Sequence, residues 1–123
     1  MRKALVIDDS MLVRHSVCRY FQEHGFQVDS AANGAEALDM LRTIRPDIIV
    51  TDIQMPKMGG RQLIMRLKSD PQTAHIPVVI LSGKKTSADH VDETRADYFI
   101  FKDIDMEAQL QNVLETAFQP AGA

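Results

Sequence analysis

Four short runs of apolar, largely β-branched or aromatic residues set the terms for this chain: Ala4-Leu5-Val6-Ile7, Ile48-Ile49-Val50, Val78-Val79-Ile80-Leu81 and Tyr98-Phe99-Ile100-Phe101. They are continuous rather than alternating, as expected of strands buried on both faces, and such strands belong to parallel sheets covered by helices. Each run stops on polar residues, namely Asp8-Asp9, Thr51-Asp52, Ser82 and Lys102. A weaker second strand is expected from Phe26 to Ala31, and the fourth strand, which holds the run Val78 to Leu81, is expected to begin at Ile76.

Helical spacing fills the intervals. Val13, Val17 and Phe21 recur every fourth residue, and Gly25 supplies a left-handed C-terminal position. After the Asn33-Gly34 turn signal, Ala37, Leu38, Leu41 and Ile44 form a second stripe that Pro46 closes. The flexible Met58-Gly59-Gly60 leads into a helix carrying Leu63, Ile64 and Leu67, which Asp70-Pro71 ends. The interval from Lys84 to Ala96 should hold a fourth helix, but Ala88 and Val91 are its only anchors, so a short or loosely packed element is expected. Leu110, Val113, Leu114, Ala117 and Phe118 mark the last helix, with Asp103 or Asp105 as its cap. Strands alternating with helices imply right-handed βαβ units and a doubly wound α/β sandwich of three layers. In the flavodoxin-like strand order 2-1-3-4-5, ligands bind where the order reverses, between the first and third strands. Those strands deliver Asp8, Asp9 and Asp52 to one edge, and the next two deliver Ser82 and Lys102.

The 123 residues suit one domain, expected over 1–118, with 119–123 as a flexible tail or linker stub. A net charge of −3 with both signs dispersed gives no electrostatic footprint for nucleic acid or an anionic membrane. Lone Cys18 cannot form an internal disulfide and reads as a small hydrophobe. No transmembrane run or leader pattern is present, so a cytoplasmic location is the expectation. The four histidines show no ligand spacing.

Three carboxylates within about 5 Å would repel by roughly 3 kcal/mol per pair at an effective dielectric near 20, so they need a cation among them. An all-oxygen set suggests Mg²⁺, which keeps several waters and takes one or two carboxylates. A carboxylate beside such an ion can act as nucleophile toward a phosphoryl group, whose oxygens the Lys102 ammonium and the Ser82 hydroxyl would then stabilise. Singly, Asp9 or Ser10 reads as well as a helix cap, Asp52 or Ser82 as a turn residue, and Lys102 as a surface charge. Those readings weaken together, because all these groups fall at strand ends on one predicted edge.

From Lys3 to about Phe118 the chain resembles a response-regulator receiver domain of two-component signalling, of the single-domain chemotaxis type. Val6-Ile7-Asp8-Asp9-Ser10 resembles the family's acidic pair, and Asp52 in Val50-Thr51-Asp52-Ile53-Gln54-Met55-Pro56 its phosphoacceptor. The resemblance implies that Asp9, Asp52 and the Gln54 backbone carbonyl ligate Mg²⁺, with Asp8 acting through water. It implies catalytic roles for Lys102 and Ser82, a switch formed by Ser82 and Phe99, and phosphate-lifetime tuning by Gln54 and Lys84. A strand aromatic such as Phe99 also serves as plain core. The implied partners are a sensor histidine kinase or histidine phosphotransfer protein and a downstream protein target, with a monomer or a phosphorylation-dependent dimer as the assembly. Such a domain is a signalling phosphoacceptor rather than an enzyme acting on a separate substrate.

Two departures stand out. Asp103 follows Lys102 where the family has a cis proline, and a cis bond without proline costs roughly 2.5 to 4 kcal/mol, so a trans Lys102-Asp103 bond and a reshaped loop are expected. The stretch between Ser82 and Lys102 is also shorter than in chemotaxis-type receivers. Asp103 and the thinly anchored fourth helix are the basis of an alternative, a receiver-like interaction module independent of phosphorylation. Two other readings fare worse. A small-molecule phosphohydrolase would need a second acid where Gln54 stands, and a flavin carrier would need a phosphate-cradling loop where Asp8-Asp9 would repel phosphate.

Overall fold

The computed structural model describes residues 2–53, 55, 58–83, 96–102 and 105–118. Its strands are β1 (Lys3–Ile7), β2 (Gln27–Ala31), β3 (Ile48–Asp52), β4 (Val78–Ser82) and β5 (Tyr98–Phe101). The helices among these residues are α1 (Met11–Glu23), α2 (Gly34–Met40), α3 (Gly60–Ser69) and α4 (Met106–Ala117). All strand pairs are parallel, in the order β2-β1-β3-β4-β5. The expected doubly wound sheet is therefore present.

Burial follows from strand geometry. Successive side chains point to opposite faces, so Ala4 and Val6 join Val17, Phe21, Leu110 and Val113 of α1 and α4. Leu5 and Ile7 join Ala37, Leu63, Ile64 and Leu67 of α2 and α3. Every residue of β3 and β4 is buried. With two apolar faces to cover, these strands had to read as unbroken apolar runs.

The helix ends are set by local chemistry. Ser10 caps α1 by accepting a hydrogen bond from the Val13 amide at 3.3 Å, so the simpler reading of Ser10 as a cap is the one observed. At the other end Gly25 has φ +85°, with Gly25 N donating to Gln22 O at 3.1 Å and Phe26 N to Phe21 O at 3.0 Å. This is a Schellman closure, and the Phe21–Phe26 ring contact at 5.0 Å is its hydrophobic clasp. Asp105 caps α4 by accepting from the Glu107 and Ala108 amides, which decides between the two candidate caps. Cys18 is half-buried against the α1 side of the core, and burial, opposed in part by the Arg14 charge, pushes its thiol up.

Two boundaries differ from expectation. α2 ends at Met40, before Ile44, because turn bonds take over: Arg42 N donates to Asp39 O at 3.2 Å and Thr43 N to Met40 O at 3.0 Å. The Arg45 guanidinium also holds the Leu41 and Ile44 carbonyls. β4 begins at Val78 rather than Ile76, since the Ile76 amide closes a turn onto Thr73 O and Pro77 has no N–H to give a ladder. The expected helix over Lys84 to Ala96 lies, up to residue 95, outside the described residues, as do Asp103 with its peptide bond to Lys102 and the tail 119–123. Among the described residues no helix is long and apolar enough to cross a membrane.

Candidate functional site

The carboxyl ends of β1 and β3 lie side by side, with Ile7 paired to Thr51. This neighbourhood brings Asp8 and Asp9 together with Asp52. One oxygen from each of the three carboxylates lies within 4.8 Å of the others. Asp8 is wholly buried and Asp52 is 7% exposed, whereas Asp9 lies at the solvent rim. The pocket therefore has an anionic floor and an open mouth.

Among the described residues, the Lys102 ammonium answers these charges. Lys102, directly after β5, places Nζ 3.1 Å from Asp8 Oδ2 and 3.2 Å from Asp52 Oδ1. Burial by itself would lower its pKa, but the close contacts with Asp8 and Asp52 and their charges outweigh burial and hold it above the ordinary 10.5. Lys102 is thus a firmly protonated ammonium. Its own backbone is anchored, since Lys102 N donates to Ser82 O at 2.8 Å.

Supporting contacts fix the floor. Asp8 Oδ1 accepts from Ser10 N at 2.8 Å, while the Asp8 carbonyl accepts from Arg14 Nη1 at 2.7 Å, so α1 holds the loop that carries the acids. Asp8 Oδ2 is buried with an ionic neighbour but no aligned hydrogen bond. A buried oxygen in that state has coordination capacity left over, and three oxygen donors beside an open mouth fit a hard, partly hydrated divalent cation. Thr51 is buried, with its hydroxyl donating to Asp52 O at 3.0 Å.

The remaining expected residues divide into three groups. Ser82 is buried at the end of β4, one residue beyond Leu81, the strand partner of Asp52. Phe99 is half-buried on the α2 and α3 side of the sheet, packed against that core. Gln54 and Lys84, expected to contribute a carbonyl ligand and to tune phosphate lifetime, lie outside the described residues.

The sequence reading missed the glycines that shape the pocket. Met58-Gly59-Gly60 reads as flexible, yet Gly60 is buried, its N–H donates to Ile53 O at 3.0 Å, and a Cβ there would overlap the Asp52 carbonyl. Gly34 N likewise donates to Met58 O at 3.2 Å. A glycine at the first position of each helix was the available signal for close backbone approach.

A 2-1-3-4-5 parallel sheet with an acidic pocket and the Lys102 ammonium at its carboxyl edge defines a flavodoxin-like receiver fold. The chain belongs to the response regulator receiver domain family, whose family model matches residues 4–115. It is 35% identical over 116 residues to response regulator Rre1 of Synechocystis, covering 89% of this chain and 50% of that protein. It is 32% identical over 115 residues to protein PilH of Pseudomonas aeruginosa, covering 92% of this chain and 95% of that one. It thus spans half of Rre1 and nearly all of PilH. The signal receiver domain of a signal transduction histidine kinase from Syntrophus aciditrophicus superimposes with a TM-score of 0.88 at 28% identity, covering 99% of this chain and 93% of that chain. Receiver domains are the phosphoacceptor modules of two-component systems and bind Mg²⁺ at an acidic pocket.

Proposed function

We propose that this chain is a phosphoacceptor switch with Asp52 as the acceptor. An Asp52 carboxylate oxygen attacks the phosphorus of a phosphohistidine on a sensor kinase or phosphotransfer protein, the P–N bond breaks, and the imidazole leaves with its electron pair. The product is an acyl phosphate on Asp52. The observation that carries this reading is the shared Lys102 ammonium, 3.1 Å from Asp8 and 3.2 Å from Asp52, which can follow negative charge from the carboxylates onto the transferred group.

Asp9 and Asp52, with Asp8 acting through water, would hold a magnesium ion, whose charge would let a phosphoryl group approach an anionic pocket. Asp8 and Asp9 hold that charge in place, Lys102 pairs with a phosphoryl oxygen, and the Ser82 hydroxyl donates to another. Ser82 and Phe99 then carry the change outward to a protein-binding face that includes β5 and α4. Residues 1–118 act as the domain, and the output is a change of protein partner.

The alternative of a phosphorylation-independent module rests on Asp103 and the thinly anchored interval 84–96, and no described residue favours it. Phosphotransfer profiling against purified histidine kinases tests the proposal. One kinase should label the wild type in preference to others and leave Asp52→Asn unlabelled. Equal labelling of both proteins would contradict it.

A further inference from the structure

The carboxylates come from two separate segments, the residues directly after β1 and the end of β3, and a third segment touches the backbone of the first and the loop that follows the second. Asp8 N donates to Ala31 O at 3.1 Å, and three residues later Gly34 N donates to Met58 O at 3.2 Å. Residues 31–34 therefore form a short strap from the backbone of Asp8 to Met58, in the connection that follows Asp52. That loop is closed by Gly60 N on Ile53 O at 3.0 Å, so a shift at Met58 is passed back toward Asp52. The strap has no slack at Gly34: a Cβ there would lie 2.8 Å from Met58 O, 2.9 Å from Met58 Cγ and 3.0 Å from Met58 Cβ. The φ of Gly34 is not positive, so the glycine is needed for space rather than for its backbone conformation.

We infer that Gly34 is a positioning residue for the divalent-ion site: as the tight end of the 31–34 strap, it sets the spacing between the Asp8-Asp9 and Asp52 segments, and thereby the preference for Mg²⁺ over a larger cation. This rests on the magnesium reading proposed above. Mg²⁺ requires near-octahedral oxygens at about 2.0–2.1 Å, whereas Ca²⁺ accepts about 2.3–2.6 Å and irregular geometry. A side chain at Gly34 displaces Met58 by some tenths of an ångström, which is on the scale of that difference. A displacement that spreads or skews the oxygens away from octahedral spacing penalises the ion with the stricter geometry more.

Calorimetric titration of wild type, Gly34→Ala and Asn33→Ala with Mg²⁺ and with Ca²⁺ tests the inference. Gly34→Ala should weaken Mg²⁺ binding by roughly tenfold, as changes behind metal ligands commonly do, and weaken Ca²⁺ binding less. Asn33→Ala removes only the α2 cap, in which Asn33 Oδ1 accepts from Glu36 N at 2.8 Å, and should lower stability without changing the ratio of the two affinities. An unchanged ratio in Gly34→Ala, or an equal change in Asn33→Ala, overturns the inference and leaves the magnesium reading standing. A wild type that takes up no Mg²⁺ overturns both. Should Gly34→Ala not fold, the wild-type amide spectrum decides: Mg²⁺ should move the Gly34 resonance together with that of Asp8, and a stationary Gly34 resonance overturns the inference.

Discussion

Lys102 Nζ stands 3.2 Å from Asp52 Oδ1, so the side chain proposed to accept phosphorus already touches the side chain proposed to receive its charge. The same ammonium is 3.1 Å from the fully buried Asp8. Lys102 therefore offsets part of the pocket's negative charge before any ligand arrives, and its loss has consequences for stability as well as for phosphorylation.

Lys102→Met removes the counter-ion of a buried carboxylate and should lower stability by about 2 kcal/mol in metal-free buffer. Mg²⁺ restores positive charge to the pocket, so thermal melts should show a larger Mg²⁺-induced rise in Tm for the variant than for wild type. Equal rises would separate Lys102 from the metal pocket.

Because the pKa of Lys102 is raised on folding, its contribution is fully present below the unfolded-state value of about 10.4 and is lost as pH climbs through the higher folded value. Urea denaturation should find the stability gap between wild type and Lys102→Met flat from neutral pH to about pH 10 and narrowing only above it. A gap that closes near neutrality contradicts the ion pairs.

Gly60→Ala forces a methyl group against the Asp52 carbonyl and the Ile53 backbone. The expected cost is about 1–3 kcal/mol by chemical denaturation, together with slower phosphorylation at saturating Mg²⁺, because the acceptor itself is displaced. Wild-type stability and rate in this variant would show that the close approach is not required.

Ser82→Ala removes a buried hydroxyl at the end of β4. Loss of one hydrogen bond to a charged phosphoryl oxygen should slow adduct formation roughly tenfold to a hundredfold without abolishing it. Stopped-flow rates with a small phosphodonor give the measurement, and an unchanged rate removes Ser82 from the site.

The strands and the pocket were legible for one reason. Val50, Ile7 and Leu81 are buried on a two-faced sheet and had to be apolar, so Asp8, Asp52 and Ser82, standing directly at the ends of those runs, were conspicuous. The end of α2 was not legible, because Arg45 and Thr43 stop it through bonds to the Leu41 and Met40 carbonyls, and an apolar stripe carries no record of those. The spatial role of Gly60 and Gly34 was not legible for a related reason. A glycine pair signals conformational freedom and Asn33-Gly34 signals a turn, but here each glycine also makes room for a backbone, that of Asp52 in one case and Met58 in the other. Local pattern locates the groups that do chemistry better than the empty spaces that position them.

The most direct measurement is the chemical identity of the phosphorylated residue. After incubation with acetyl phosphate and Mg²⁺, borohydride reduction and peptide mass mapping should convert a single acidic side chain, Asp52, and should convert none when Mg²⁺ is withheld by a chelator. Modification at another residue, or no modification of correctly folded protein at saturating Mg²⁺, would contradict the account.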